Sequence, residues 1–400
     1  MKQFLRRTWV EIDLDALTHN FRQIRQAIAP GCKVMSVVKA DAYGHSAPRV
    51  ASVLQELGSE WFAVSNLEEA IQLRNCGIVR PILILGFTPV ENAPLLAKYD
   101  ITQAILSAEY AADLQKSAAQ SHVTLRGHLK IDTGMSRIGF FFQEELRDRD
   151  NLDAMEAACR LPNVKVEGVF THFAVADEKA EGEAYTRRQY QNFTRAIQCL
   201  EERGIQFSLR HCSNSGAIMD YPEMNLDMVR PGIILYGLWP SGKLAGQMDF
   251  RPVMSMKTAV AQVKEIGADT TVSYGRTYTA PDNRRVATLP IGYADGYTRI
   301  FSNRAEVLLH GQRAPVVGRV CMDQTIVDVS HIPEVKVGDV VTVFGSDGTE
   351  TLSVDELCQI SQTINYELTC GINKRVPRVI LRDGQPIAVE DHLCTEEDLT

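Results

Sequence analysis

The chain contains no long hydrophobic run. Nowhere in its 400 residues is a stretch long and apolar enough to span a bilayer. The start, Met1-Lys2-Gln3-Phe4-Leu5-Arg6-Arg7, is basic but leads into Trp9-Val10-Glu11-Ile12-Asp13 with no apolar core behind it, so no secretory signal is expected. Basic excess is missing too. Lys and Arg number 42 against 50 Asp and Glu, a net charge of −8, which argues against a nucleic-acid or anionic-membrane partner. The nine cysteines are odd in number, scattered, and never spaced C-x-x-C. That pattern disfavours a disulfide framework or a zinc site and fits reduced thiols in a cytoplasm. No Gly-rich dinucleotide fingerprint and no Walker loop follows any apolar run.

What is present is an ordinary globular composition, 45% hydrophobic and 23% charged, on a chain long enough for two domains. Leu14, Leu17, Phe21, Ile24 and Ile28 recur at helical spacing, which predicts a helix over Asp13 to Ile28, ended by Pro30-Gly31. Short apolar runs then alternate with helical stretches. The runs are Val34–Val38, Trp61–Val64, Ile82–Leu85, Ile101–Leu106, Leu125–Ile131, Val166–Phe173, Phe207–His211 and Met228–Leu235. Helices are expected over Leu67–Cys76, Glu109–Ala119 and Tyr185–Glu202. Eight strands alternating with helices predict an α/β fold, a TIM-like (β/α)8 barrel, with a doubly wound sheet as the runner-up. The texture changes after Tyr236-Gly237. Residues 238–247 carry Pro240, Gly242 and Gly246 and read as a linker. Strand-like alternation and turn pairs such as Asp295-Gly296 and Asp347-Gly348 dominate beyond it, so a C-terminal mainly-β domain is expected, with one helix near Val354–Thr363.

The chemistry starts at Val34-Met35-Ser36-Val37-Val38-Lys39-Ala40-Asp41-Ala42-Tyr43-Gly44-His45. A buried strand that ends in a lysine presents an amine at the mouth of a site. Apolar surroundings disfavour its ammonium form, and a neutral amine can attack a carbonyl. Most lysines just past a strand are only solvated charges. Here Asp41, Tyr43, Gly44 and His45 follow at once, and the segment resembles the cofactor-lysine signature of bacterial alanine racemases, fold type III enzymes that use pyridoxal 5'-phosphate. Ser46 stands where many relatives carry glycine, a difference expected to matter little.

The resemblance implies a cofactor held as a Schiff base on Lys39, with Tyr43 on its phosphate. Further motifs occur in the same order. Lys130-Ile131-Asp132-Thr133-Gly134-Met135-Ser136-Arg137 closes the fifth expected strand. Arg137 alone reads as a turn salt bridge; the resemblance makes it a donor to the cofactor's phenolic oxygen and a substrate contact, with Lys130 as a possible carbamylated lysine that orients it. Thr171-His172-Phe173 closes the sixth, and the resemblance places His172 between the cofactor ring and the arginine at the pyridine nitrogen. His211-Cys212-Ser213-Asn214-Ser215-Gly216 follows the seventh, and a serine there is commonly a helix cap. The resemblance assigns Asn214, Ser215, Gly232 and Ile233 to cofactor binding, most of it at the phosphate. Loops after barrel strands seven and eight frequently bind phosphate. Charge alone would send Arg230 there as well; the resemblance turns it to the pyridine nitrogen. An arginine cannot accept a proton at working pH and so does not stabilise a protonated ring nitrogen, which favours fast return of a proton to Cα over transamination.

In the second domain, Tyr274 matches the acid/base opposite Lys39. Ile291-Gly292-Tyr293-Ala294-Asp295-Gly296-Tyr297 matches the segment with the inner gate, Tyr293. Gly318-Arg319-Val320-Cys321-Met322-Asp323-Gln324 matches the segment that holds the substrate carboxylate, with Met322 and Asp323 as substrate-binding residues, and Tyr366 matches the phosphate tyrosine. The resemblance implies an N-terminal strand (1–12) in the β domain, a barrel (13–240), a β domain (241–390) and a tail (391–400). It also implies a cytoplasmic homodimer with shared sites, no metal, and L-alanine/D-alanine interconversion through Lys39 and Tyr274 that supplies D-alanine for peptidoglycan. The alternatives are a racemase of another small amino acid such as serine, a decarboxylase of the same plan, and a non-catalytic cofactor carrier built on the barrel alone.

Overall fold

A computed structural model describes residues 4–394; of the expected 391–400 tail, residues 395–400 lie outside the described residues. The chain divides into two compact units. One runs from Leu17 to Arg251. The other joins the N-terminal residues up to Ala16 with the chain from Pro252 onward.

The first unit is a nearly closed parallel barrel. With β1 at Thr8–Asp13 in the other unit, its strands are β2 (Lys33–Val37), β3 (Trp61–Val64), β4 (Ile82–Ile84), β5 (Ile101–Ile105), β6 (Leu125–Asp132), the short β7 (Phe140–Phe141) beside β6, β8 (Val164–Phe170), β9 (Leu209–His211) and β10 (Met228–Val229). The sheet order is β10-β2-β3-β4-β5-β6-β8-β9. Its open seam is bridged by backbone bonds, Asp227 N to Arg210 O at 3.2 Å and Arg230 N to Ser213 O at 3.0 Å. The strands are short and nearly all buried, as expected where helices cover the outside and side chains fill the inside. The first helix, Leu14–Ala27, begins where Asp13 Oδ1 accepts from the amides of Asp15 and Ala16. Leu17, Phe21 and Ile24 on its inner face are fully buried, each stabilising by roughly 1.5–3 kcal/mol. Asn66 caps Leu67–Asn75 through Glu69 N, and Ser107 caps Ala108–Gln120 through Tyr110 N.

One expected strand is different. The apolar run Met228–Leu235 is extended only over Met228–Val229 and forms a 3-10 turn over Ile233–Tyr236. Pro231 has no amide to continue a ladder, and the chain turns at Gly232. Periodicity cannot separate a buried strand from a buried turn of the same composition.

In the second unit, β1 lies between Met254–Ala259, antiparallel, and Arg378–Arg382, parallel. The sheet extends to Val340–Asp347, Glu306–Leu309 and Gln312–Pro315 on one side and to Gln385–Glu390 on the other. A three-stranded sheet, Gln262–Ile266, Arg284–Leu289 and Thr325–Asp328, accompanies it. The helix Val354–Ser361 starts with a capping box between Ser353 and Glu356.

Candidate active site

Parallel strands put all their C-terminal ends at one mouth of a barrel. Lys39 follows β2, Arg137 follows β6, His172 follows β8, Asn214 and Ser215 follow β9, and Arg230 follows β10. These predicted residues therefore gather at one end although they are spread over about half the sequence.

The turn that carries Lys39 is not an ordinary loop. Ala40, Asp41, Ala42 and Tyr43 all have φ between 52° and 55°, a left-handed turn of helix. Such backbone costs roughly 1–2 kcal/mol per residue, so it persists only where its surroundings fix it. Glu69 does part of this. Its carboxylate accepts from Ala40 N at 2.7 Å and from Ser65 N at 2.7 Å, joining the lysine turn to the end of β3. Asp41 Oδ1 accepts from Ala47 N at 2.8 Å. Ser46 has φ 72°, a region that favours glycine, so the serine there carries a backbone cost that the sequence reading did not include.

Tyr43 is buried against Tyr236, ring centroids 5.0 Å apart, and Tyr236 donates to Val37 O at 2.9 Å. The Tyr43 hydroxyl comes so close to Gly232 that a Cβ there would lie 2.7 Å from it. Ser215 is not the helix cap. Asn214 takes that role, its Oδ1 accepting from Ala217 N at 3.1 Å, while Ser215 Oγ accepts from Gly232 N at 3.0 Å. A hydroxyl from Tyr43, a hydroxyl from Ser215 and the bare backbone of Gly232 thus line one small cradle. Groups of this kind suit a phosphate, and a side chain on residue 232 would fill the space.

Beside the cradle lies a buried relay. Arg230 donates through Nη1 to His211 Nδ1 at 3.0 Å, and through Nη2 to Thr171 O at 2.7 Å, Cys212 O at 3.1 Å and His172 Nδ1 at 3.3 Å. His211 Nε2 meets His128 Nδ1 at 2.9 Å. Arginine only donates, so both histidines that face it accept at Nδ1 and carry their proton on Nε2. Burial, then the charge of Arg230, holds His172 and His211 well below the ordinary imidazole range, and burial holds His128 down to about 3. Arg230 itself is pushed down to about 10 by burial. The relay is a neutral imidazole chain on a cationic arginine, with no carboxylate among the described residues bonded to that arginine.

Lys130 on β6 is buried, and its Nζ has no hydrogen-bond partner among the described residues. The amine lies 4.8 Å from the centre of the Phe170 ring. Burial first, then Arg230, lowers its pKa well below the usual lysine value; Asp132 opposes this and Arg137 adds to it. Asp132 accepts from the amides of Gly134, Ser136 and Arg137 and so shapes the turn that carries Arg137.

The remaining predicted residues lie in the second unit. Tyr274 sits in a tight turn between Thr271–Val272 and Tyr278–Thr279 and is 72% exposed. Ser273 Oγ donates to Arg319 O at 2.6 Å and ties that turn to the segment before Met322. Tyr293 and Met322 are also exposed, at 43% and 53%, and their segments are bonded to each other through Tyr293 N to Cys321 O and Ala294 N to Met322 O, both at 3.0 Å. Tyr366 is half-buried in the short helix Asn365–Cys370. Sequence reasoning missed Glu69, His128, His211 and Tyr236. His128 was within reach: His128, Lys130 and Asp132 alternate along β6, so all three share the inward face. Glu69 and Tyr236 left no local signal, since their partners are distant in sequence.

These features define a class of protein, a parallel barrel with ionisable side chains gathered at its strand ends, accompanied by a β-rich unit that exposes tyrosines. Residues 12–240 match the family model for the alanine racemase N-terminal domain, and residues 253–380 match that for the C-terminal domain. The chain is 44% identical over 395 residues to an alanine racemase of Clostridium tetani, covering 98% of this chain and all of that one. It is 47% identical over 379 residues to one from Desulfovibrio desulfuricans, covering 95% and 99%. Among solved structures, an alanine racemase of Clostridium difficile 630 superposes with a TM-score of 0.92 at 38% identity, covering 98% of this chain and all of that one. One from Bacillus anthracis with bound L-Ala-P superposes with a TM-score of 0.90 at 36% identity, covering 98% and 99%. The chain belongs to the alanine racemase family.

Proposed function

We propose that this protein interconverts L-alanine and D-alanine with pyridoxal 5'-phosphate, through Lys39 on one face of Cα and Tyr274 on the other. The observation that carries the reading is the partner set of Arg230, two neutral histidines and two backbone carbonyls with no carboxylate. The cofactor, when bound, supplies the electron sink that makes the Cα–H of an amino acid acidic. The cradle of Tyr43, Ser215, Gly232 and Ile233 fits its phosphate, with Asn214 fixing the turn beside it and Tyr366 added from the β unit. Lys39 fits its aldehyde, Arg137 its phenolic oxygen and Arg230 its ring nitrogen. An arginine there donates but does not protonate, so charge stays near Cα and the proton returns there.

Lys39 Nζ takes the Cα proton from one antipode, and Tyr274 Oη delivers one to the opposite face; the reverse reaction exchanges the roles. A free phenol and a free ammonium both titrate near 10, so each needs help near neutrality. His172 offers that help to Tyr274, because its Nε2–H can donate to a phenolate while Nδ1 stays on Arg230. The backbone at Met322, with Asp323 and Tyr293 beside it, receives the substrate carboxylate and limits its size. Lys130, buried without a partner near two arginines, fits carbamylation, which would exchange an isolated amine for an anion that orients Arg137. The exposure of Tyr274, Tyr293 and Met322 supports a homodimer in which the β unit of one subunit completes the barrel site of the other. In this reading the enzyme is cytoplasmic and its D-alanine goes to peptidoglycan. The test is incubation of the purified yellow protein with a panel of L-amino acids in heavy water. Deuterated D-alanine should dominate. Deuterated D-serine in its place, or loss of carbon dioxide from the substrate, would overturn the reading.

A further inference from the structure

In the second unit, donors from three parts of the chain, Arg7, Gly292 and Arg375, converge on one carboxylate. Asp295 is completely buried. Arg7, just before β1, donates Nη2 to Asp295 Oδ1 at 2.5 Å and Nη1 to Pro290 O at 2.6 Å. Arg375 donates Nε to the same Oδ1 at 2.8 Å. Gly292 N donates to Oδ2 at 3.0 Å, and the Asp295 carbonyl accepts from Asn373 N at 3.2 Å. Arg375 does not stop there. Its Nη2 reaches Asp323 Oδ1 at 2.7 Å, so one guanidinium spans the 291–297 and 321–324 segments. A fork with fixed geometry can do this; a lysine, a point charge on a flexible stem, cannot hold both.

The two segments also touch without slack. A Cβ on Gly292 would fall 2.2 Å from Cys321 O and 2.4 Å from Met322 O, so backbone presses on backbone there. Burial alone would push the Asp295 carboxyl up, yet the bonds from Arg7 and Arg375 outweigh that and hold it below its ordinary value. The group therefore stays an anion with its acceptor sites engaged. A buried charge of this kind is a poor stabiliser compared with a well-packed apolar side chain, but it fixes one geometry.

We propose that Asp295 is a positioning residue which, through Arg375 and Gly292, sets the spacing between the Tyr293 ring and the Met322–Asp323 backbone, and so the width of the opening that accepts the substrate carboxylate and side chain. This rests on the alanine reading above and deepens it: an anion locks the two lips of the opening. Asp295 touches no reacting atom and acts only through the two segments.

The test compares wild-type holoenzyme with Asp295→Asn and Arg375→Lys. Asp295→Asn keeps the shape and removes the charge; Arg375→Lys keeps the charge and removes the bridge to Asp323. Bound cofactor is checked by absorbance and folding by thermal melting. KM for L-alanine should rise roughly tenfold, the loss of one charge-assisted hydrogen bond's worth of alignment, while kcat stays within about threefold. The ratio of kcat/KM for L-serine to that for L-alanine should rise by roughly threefold or more as the lips loosen. If Asp295→Asn does not fold, Arg375→Lys decides by the same two readouts. A lower melting temperature with KM and the serine ratio both unmoved would show a merely structural ion pair and overturn the proposal. Wild-type protein that exchanges no Cα–H of alanine would overturn the functional reading and this inference together, and so differs from failure of the inference alone.

Discussion

Gly232→Ala tests the anion cradle with a single carbon atom. Gly232 has φ −117° and ψ −97°, outside the regions that residues with a Cβ favour, so alanine carries a backbone cost as well as a packing one. The new Cβ would lie 2.7 Å from the Tyr43 hydroxyl, against 3.5 Å from Tyr43 Cζ and 3.8 Å from Ser215 Oγ. The hydroxyl must retreat by several tenths of an ångström. The ring has little room to follow, because it packs on Tyr236, whose own hydroxyl is bonded to Val37 O. Overpacking of this kind costs about 1–3 kcal/mol. With roughly 2–4 °C per kcal/mol for a unit of this size, melting of the cofactor-free protein should drop by several degrees. Affinity for pyridoxal phosphate, measured by titrating the apoprotein, should fall by roughly tenfold to a hundredfold, about 1.4–2.8 kcal/mol. The decisive control is Tyr43→Phe. Without the hydroxyl the nearest contact becomes the 3.5 Å approach of the ring carbon, an ordinary van der Waals distance. Gly232→Ala made on that background should therefore keep its backbone cost but lose the clash, so the cycle should show a coupling of about 1–2 kcal/mol. Equal costs on both backgrounds, or unchanged cofactor affinity in Gly232→Ala, would refute the cradle.

His128 makes the acid limb of stability steeper. Its folded pKa of about 3 lies below the unfolded value of 6.5, so the unfolded chain binds a proton that the fold refuses, and stability falls as pH drops through that window. His128→Leu should flatten the limb by about 1.4 kcal/mol per pH unit, read by denaturant melts at several pH values; an unchanged slope counts against a neutral buried imidazole. Lys130 should carry the mass of one carbon dioxide in native mass spectra. Lys130→Met should then lower stability by about 1–3 kcal/mol through the loss of an anion near Arg230 and Arg137, whereas a gain would reveal a bare amine. Finally, inactive Lys39→Ala and Tyr274→Ala proteins, unfolded together and refolded, should regain roughly a quarter of wild-type activity if sites are shared across a two-fold dimer. Activity no higher than the two parents, with mixed dimers confirmed by mass, would place Lys39 and Tyr274 of one site on a single chain.

Local patterns sufficed for much of this molecule. Apolar runs of strand length separated by capped helices specify a barrel, because each strand and helix buries one face through its own residues; Asn66 and Ser107 mark helix starts by bonds to amides only three residues away. The order of short motifs likewise pointed to Lys39, Tyr43, Arg137, His172 and Arg230, since their elements place them at one end of the barrel. Other features depend on groups far apart in the chain. Nothing in Ala40-Asp41-Ala42-Tyr43 announces a left-handed turn, which alanine disfavours; the distant Glu69 helps hold it. The run Met228–Leu235 has a strand's composition, yet past Pro231 it turns at Gly232 to meet Ser215 and Tyr43. The His128–His211–Arg230 relay crosses from β6 to β9 and β10, and Asp295 collects an arginine 288 residues upstream. Sequence encodes which residues prefer which local shape. Which buried polar groups satisfy one another is settled only when the chain closes and water leaves, because an unpaired buried donor or charge then costs more than the local preference it overrides.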